Sequence, residues 1–107
     1  MRLVIVESPY AGDRERNDRY LRACLLDCLR RGEAPFASHA IYPLVLDDAK
    51  PEERRLGMDA GFAWRLPAAA TVVYSDLGVS TGMAAGIRHS HENNVPIEFR
   101  NLGGEWS

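Results

Sequence analysis

Two short stretches of the chain concentrate residue types that can do chemistry. The first is Glu7-Ser8-Pro9-Tyr10-Ala11-Gly12, which sets a carboxyl, a hydroxyl and a phenol side by side. The second is Asp76-Leu77-Gly78-Val79, followed at once by Ser80-Thr81-Gly82-Met83. Ser80 has the character of a helix cap. Backbone N–H groups at a helix start favour anions, so Ser80, Thr81 and Gly82 would offer amides and hydroxyls to a phosphate. The same three residues also serve simply to start a helix. Tyr10 and Glu7 suit a sugar or a base, by stacking and hydrogen bonding. Alternatively, Tyr10 closes the top of the core and Glu7 binds amides of its own loop. His39 sits near an expected strand end, where an imidazole can polarise or protonate a ligand or be held structurally. Gly12, Asn17, Gly78 and Met83 complete the ligand-binding candidates around these loops.

Other reactive residue types have plainer explanations. Cys24 and Cys28 are four apart on a stripe shared with Tyr20, Leu21, Leu25 and Leu29, so both thiols are expected in the core, reduced. No second Cys or His pair stands at zinc spacing, and no metal or cofactor is expected. Asp47 and Asp48 read as an acidic loop before a helix, and His89 and His91 as solvated. Trp64, with Met58 and Phe62, reads as core or as oligomer surface.

The elements that position these loops follow from pattern. Leu3–Val6 is an apolar run expected as a buried first strand. Asp13 caps a helix from Arg14 to about Arg31 that Gly32 stops. A second strand is expected near Phe36–His39. Pro51-Glu52-Glu53 starts a helix running to about Arg65. Ala70–Ser75 is a third strand, Thr81 to about Glu92 a helix, and Val95–Phe99 an edge strand with Val95, Ile97 and Phe99 facing one way. The Gly-rich tail to Ser107 is left either frayed or docked on a neighbouring subunit. Strand–helix alternation with right-handed crossovers demands an open parallel α/β sheet with helices on both faces, flavodoxin- or Rossmann-like, and the order 2-1-3-4 is expected. Ligands then bind beyond the carboxyl ends of strands 1 and 3, where the Glu7–Gly12 and Asp76–Gly82 loops meet.

The 107 residues allow one domain, with 46% hydrophobic and 26% charged residues and a formal charge of -2. No basic field exists to hold a nucleic-acid polymer. No stretch has the length of a membrane span or the form of a signal peptide, so a cytoplasmic location is expected.

The opening strand with Glu7-Ser8-Pro9-Tyr10-Ala11-Gly12 resembles the first loop of nucleoside 2-deoxyribosyltransferases and deoxynucleoside 5'-monophosphate N-glycosidases. Ser80-Thr81-Gly82-Met83 is similar to their Gly-Met helix start. Pro35-Phe36-Ala37-Ser38-His39, Leu46-Asp47-Asp48 and Pro51-Glu52-Glu53-Arg54 resemble small phage-associated relatives of that superfamily. The resemblance implies a nucleoside or nucleotide ligand, attack of a carboxylate on the anomeric carbon, and a homo-oligomer, dimer or tetramer, in which Tyr10, Trp64 or Trp106 completes a partner's site. The position of the nucleophilic Glu is held here by Gly86. The acid would fall near Gly61, with Asp59 two residues away on the opposite helix face. Glu7, Asp59 and Asp76 are therefore the candidate catalytic residues of an altered acid set. The alternative is a binding protein without turnover that sequesters or senses a nucleotide. Gly82 and Gly86 would then leave open space for the ligand, or else let helix and sheet pack closely.

Overall fold

The structure, a computed structural model, describes residues 1–104 and 106. Four parallel strands form one sheet in the order β2-β1-β3-β4, the expected order. They are β1 (Arg2–Glu7), β2 (Glu33–Phe36), β3 (Ala70–Tyr74) and β4 (Ile97–Arg100). The helices are α1 (Arg14–Arg30), a one-turn α2 (Ser38–Ile41) running into a 3-10 turn at Tyr42–Leu44, α3 (Pro51–Ala63) and α4 (Thr81–Glu92). Among the described residues no helix is long and apolar enough to cross a membrane.

Strand alternation divides the molecule into two unlike faces. Val4 and Val6 of β1, with Val72 and Tyr74 of β3, pack against Tyr20, Leu21, Cys24 and Cys28 of α1. Both cysteines are fully buried and unpaired. Asp13 caps α1 by accepting from the Arg16 amide at 3.1 Å, and the chain turns at Gly32 directly into β2. Glu7 and Thr71 point to the opposite face, where they meet Arg65, just beyond α3, and Ser90, in the last turn of α4. The α1 face is the hydrophobic core, and the other face is polar and glycine-rich.

Two expectations about the strands need correction. The second strand lies at Glu33–Phe36, earlier than Phe36–His39. The apolar residues Phe36, Ala37, Ala40 and Ile41 are spaced as a helical repeat rather than an alternation, and the chain turns helical at Ser38. Pro35 fits within β2 because β2 is a sheet edge. In β4, Phe99 is 62% exposed while Arg100 is buried. Arg100 reaches under the α1 face to a bidentate pair with Glu33, both contacts at 2.8 Å, and also donates to Tyr74. A charged side chain with that many partners is buried without an orphaned donor.

The tail docks on its own domain. The Trp106 ring packs edge-on against Tyr20 with centroids 4.9 Å apart, and Leu102 joins the core. Asp76 holds this arrangement. Its carboxylate accepts from the Tyr20 hydroxyl and from the amides of Leu102 and Gly103. Burial pushes this carboxyl up, but those hydrogen bonds outweigh it and hold the pKa below the ordinary Asp range. Asp76→Ala is expected to destabilise the protein by about 2 kcal/mol, lowering Tm by roughly 10 °C. Because the folded pKa is depressed, that contribution is complete above the ordinary carboxyl range and fades as pH falls through the folded value. Thermal melts of the two proteins should therefore converge in acid.

Candidate functional site

The loops at the carboxyl ends of β1 and β3 line one cavity of about 340 Å³, within the range of small-molecule sites. Glu7, Ser8, Tyr10 and Ala11 come from the first loop. Ser80, Thr81, Gly82, Met83 and Gly86 come from the amino-terminal half of α4. The remaining walls are α2 with its 3-10 turn (Ser38, His39, Tyr42, Pro43) and the inner side of α3 (Gly57, Met58, Gly61, Phe62) with Arg65 beyond it.

The floor is a carboxylate ion-paired to a guanidinium. β1 delivers Glu7 as its last residue, and Arg65 binds Glu7 Oε2 through Nη2. Arg65 is itself buried. It also donates from Nε to Ser90 Oγ at 3.1 Å and from Nη1 toward the Gly61 carbonyl at 3.4 Å. Burial pushes the Glu7 carboxyl up to about 7, against the opposing pull of Arg65.

Gly86 makes this floor possible. A Cβ at residue 86 would lie 2.6 Å from Arg65 Nη2 and from Glu7 Cδ, and closer still to Glu7 Oε2. The carboxyl therefore rests on bare helix backbone. Of the two roles weighed for the α4 glycines, Gly86 provides close packing and no open space. Gly82 does face open space, with nothing within 4 Å of a Cβ there. Gly61 lets α3 approach α2, its Cβ position lying 2.9 Å from Ser38 Oγ.

Beside the ion pair, Ser8 Oγ and His39 Nε2 are hydrogen-bonded at 2.7 Å. Burial pushes the imidazole down to about 4; Asp18 opposes the shift and Arg65 adds to it, so His39 is neutral at pH 7. Tyr10 forms part of the wall, with the Arg14 guanidinium 4.0 Å from its ring centroid. Ser80 caps α4 by accepting from the Met83 amide at 3.3 Å. The amides of Thr81 and Gly82, first in the helix, have no intrahelical acceptor.

The cavity thus gathers Glu7, Ser8, Tyr10, His39, Ser80, Thr81, Gly82 and Met83 of the sequence candidates, and leaves the others outside. Asp59 lies on the outer side of α3, 61% exposed and ion-paired to Arg55 at 3.6 Å. Asp76 anchors the tail. Asn17 is buried and clamps the first loop, its Nδ2 donating to the carbonyls of Tyr10 and Ala11 at 3.1 and 2.9 Å. Gly12 and Gly78 make left-handed turns, at φ +98° and +87°, away from the lining. Trp64 stacks on Phe36 with centroids 4.8 Å apart and donates to the Tyr42 hydroxyl. Arg65 went unnoticed in the sequence. Its one local signal is a lone charge within Ala63-Trp64-Arg65-Leu66-Pro67. Among the described residues no three His, Cys, Asp or Glu side chains converge as a metal site.

An open parallel sheet with helices and a cavity over the first and third strands defines an α/β domain of the doubly wound class. Within that class, the family described as "Domain of unknown function (DUF7768)" matches residues 2–100, and the chain belongs to it. No curated protein matches the chain.

The close approach at residue 86 has a measurable consequence. Gly86→Ala is expected to cost about 1–3 kcal/mol of stability, because the new methyl must break or displace a pinned ion pair. The cost should shrink in a Glu7→Ala background, a coupling read by a double-mutant cycle in denaturant. Gly82→Ala is the control, expected to change stability by no more than about 1 kcal/mol, in the stabilising direction.

Proposed function

We propose that the chain binds a nucleoside or nucleotide in this cavity and cleaves or transfers its N-glycosidic bond, with Glu7 meeting the sugar. One observation carries the reading: the Glu7 carboxyl lies against α4 at Gly86. In the enzymes that the sequence resembles, the attacking carboxylate projects from this helix at the position Gly86 holds. Here a carboxyl arrives at the same patch of helix from the end of β1. Its approach is possible because residue 86 has no side chain.

The chemistry that follows is a two-step displacement. A Glu7 oxygen bonds to the anomeric carbon as the C–N bond breaks, its electrons leaving with the base, which takes up a proton from solvent water. Water or a second acceptor hydroxyl then attacks the anomeric carbon, loses its proton, and frees the carboxylate. The placement of Asp59 and Asp76 gives neither a part in this sequence. Tyr10, Phe62 and Met83 supply apolar wall for a base.

Incubation with deoxynucleosides and deoxynucleoside 5'-monophosphates, followed by chromatography, is expected to show free base. Glu7→Gln should lower its release by roughly 100-fold or more. Ligand at about a hundred times its Kd should raise Tm on the order of 10 °C. Stabilisation without release would reduce the proposal to a sequestering or sensing protein. Neither release nor stabilisation with any nucleoside or nucleotide would end it.

A further inference from the structure

The two oxygens of Glu7 are treated differently. Oε2 is bound by Arg65. Oε1 makes no hydrogen bond among the described residues, yet it is not a buried orphan, a condition met there only by His89 Nδ1. Since Glu7 lines the cavity, Oε1 is the oxygen left accessible to a ligand.

The guanidinium that creates this difference is fixed on three sides. Nη2 goes to Glu7, Nε to Ser90 and Nη1 toward the Gly61 carbonyl. Ser90 Oγ is in turn held by Thr71 Oγ1 at 2.8 Å and donates to the Gly86 carbonyl at 2.9 Å. The support thus runs from β3 through α4 to the end of α3. Charged groups sharing the cavity with Glu7 are Arg65, Asp48, Glu53 and Arg54, beside the titratable His39, Tyr10 and Tyr42, and among the described residues only Arg65 pairs with its carboxyl. α4 brings no charge to the contact, only the backbone of Gly86.

We infer that Arg65 is a positioning residue: it pins one oxygen of Glu7 so that the other alone is presented to the ligand in the cavity. This rests on the reading of Glu7 as the carboxylate that meets the sugar. A point charge would balance Glu7 equally well. Three diverging, coplanar donors are needed to hold it in one orientation, and lysine lacks them.

The test follows the carboxyl carbon-13 resonance of Glu7 in labelled protein, assigned by its loss in Glu7→Gln, alongside base release from deoxynucleoside 5'-monophosphates. In Arg65→Met the Glu7 titration should move up by about one pH unit or more, because the favourable charge is gone. In Arg65→Lys, kcat should fall about 10- to 100-fold with KM little changed, since charge is kept and orientation lost. Should Arg65→Met fail to fold, Ser90→Ala keeps both charges and removes one anchor of the guanidinium. Its kcat should fall several-fold and its Glu7 titration should shift upward by less than in Arg65→Met. An unmoved titration in folded Arg65→Met, or full kcat in Arg65→Lys or Ser90→Ala, overturns the inference. A moved titration in a protein that releases no base keeps Arg65 as the anchor of Glu7 and sinks only the nucleoside reading. Release with an unmoved titration does the reverse.

Discussion

The polar half of the molecule depends on one buried ion pair, Glu7 with Arg65. A charge taken out of water is tolerated only when its partner is close and that partner's remaining donors are satisfied. Both conditions draw on distant parts of the chain. β1 fixes the carboxylate, Gly86 vacates the space it fills, and Ser90, itself held by Thr71, accepts from the back of the guanidinium. The cavity is the space left in front of this construction. It is bounded by α2 and α3, which stay close together because Gly61 meets Ser38 without a side chain between them.

The sheet's two faces divide the work. Against α1 lie Tyr20, Tyr74, Cys24, Cys28 and four valine or alanine side chains of β1 and β3, all essentially out of water. Each large apolar side chain buried there contributes roughly 1.5–3 kcal/mol, which lets the other face be hollow and charged. The tail extends the same stable face, through Leu102 and Trp106 gathered around Tyr20 and Asp76.

What was legible in the sequence was whatever local pattern records. Apolar runs gave β1 and β3, caps gave α1 and α4, and the strand–helix rhythm gave a parallel sheet; with the order 2-1-3-4 assumed, the Glu7 and Ser80 loops had to meet. The second strand was misplaced because Phe36, Ala37, Ala40 and Ile41 are equally apolar on either reading, and only their spacing tells helix from strand. Arg100 was not expected inside, since its partner Glu33 lies 67 residues away. Arg65 was invisible for the same reason, being separated from Glu7 by 58 residues. The glycines at 61 and 86 were the better clue. A glycine inside a helix costs about 1 kcal/mol against alanine, so two of them signal something close by. Only the fold shows that one admits Ser38 and the other Glu7.

The strand end also sets how firmly the Glu7 carboxylate is held. A side chain on the second turn of a helix depends on that helix keeping its register against the sheet. Glu7 is the last residue of a strand paired on both sides, and its own partner in β3 is Val73. Its backbone is therefore fixed by the hydrogen-bonded ladder, and the remaining freedom lies in the side-chain torsions. Those torsions are what a three-point guanidinium can restrain, and what a shorter anchor could not. A buried carboxylate at a strand end keeps one orientation only while an arginine is fixed beside it and no side chain fills the space behind it, which is why residues 7, 65 and 86 are best understood as a single unit.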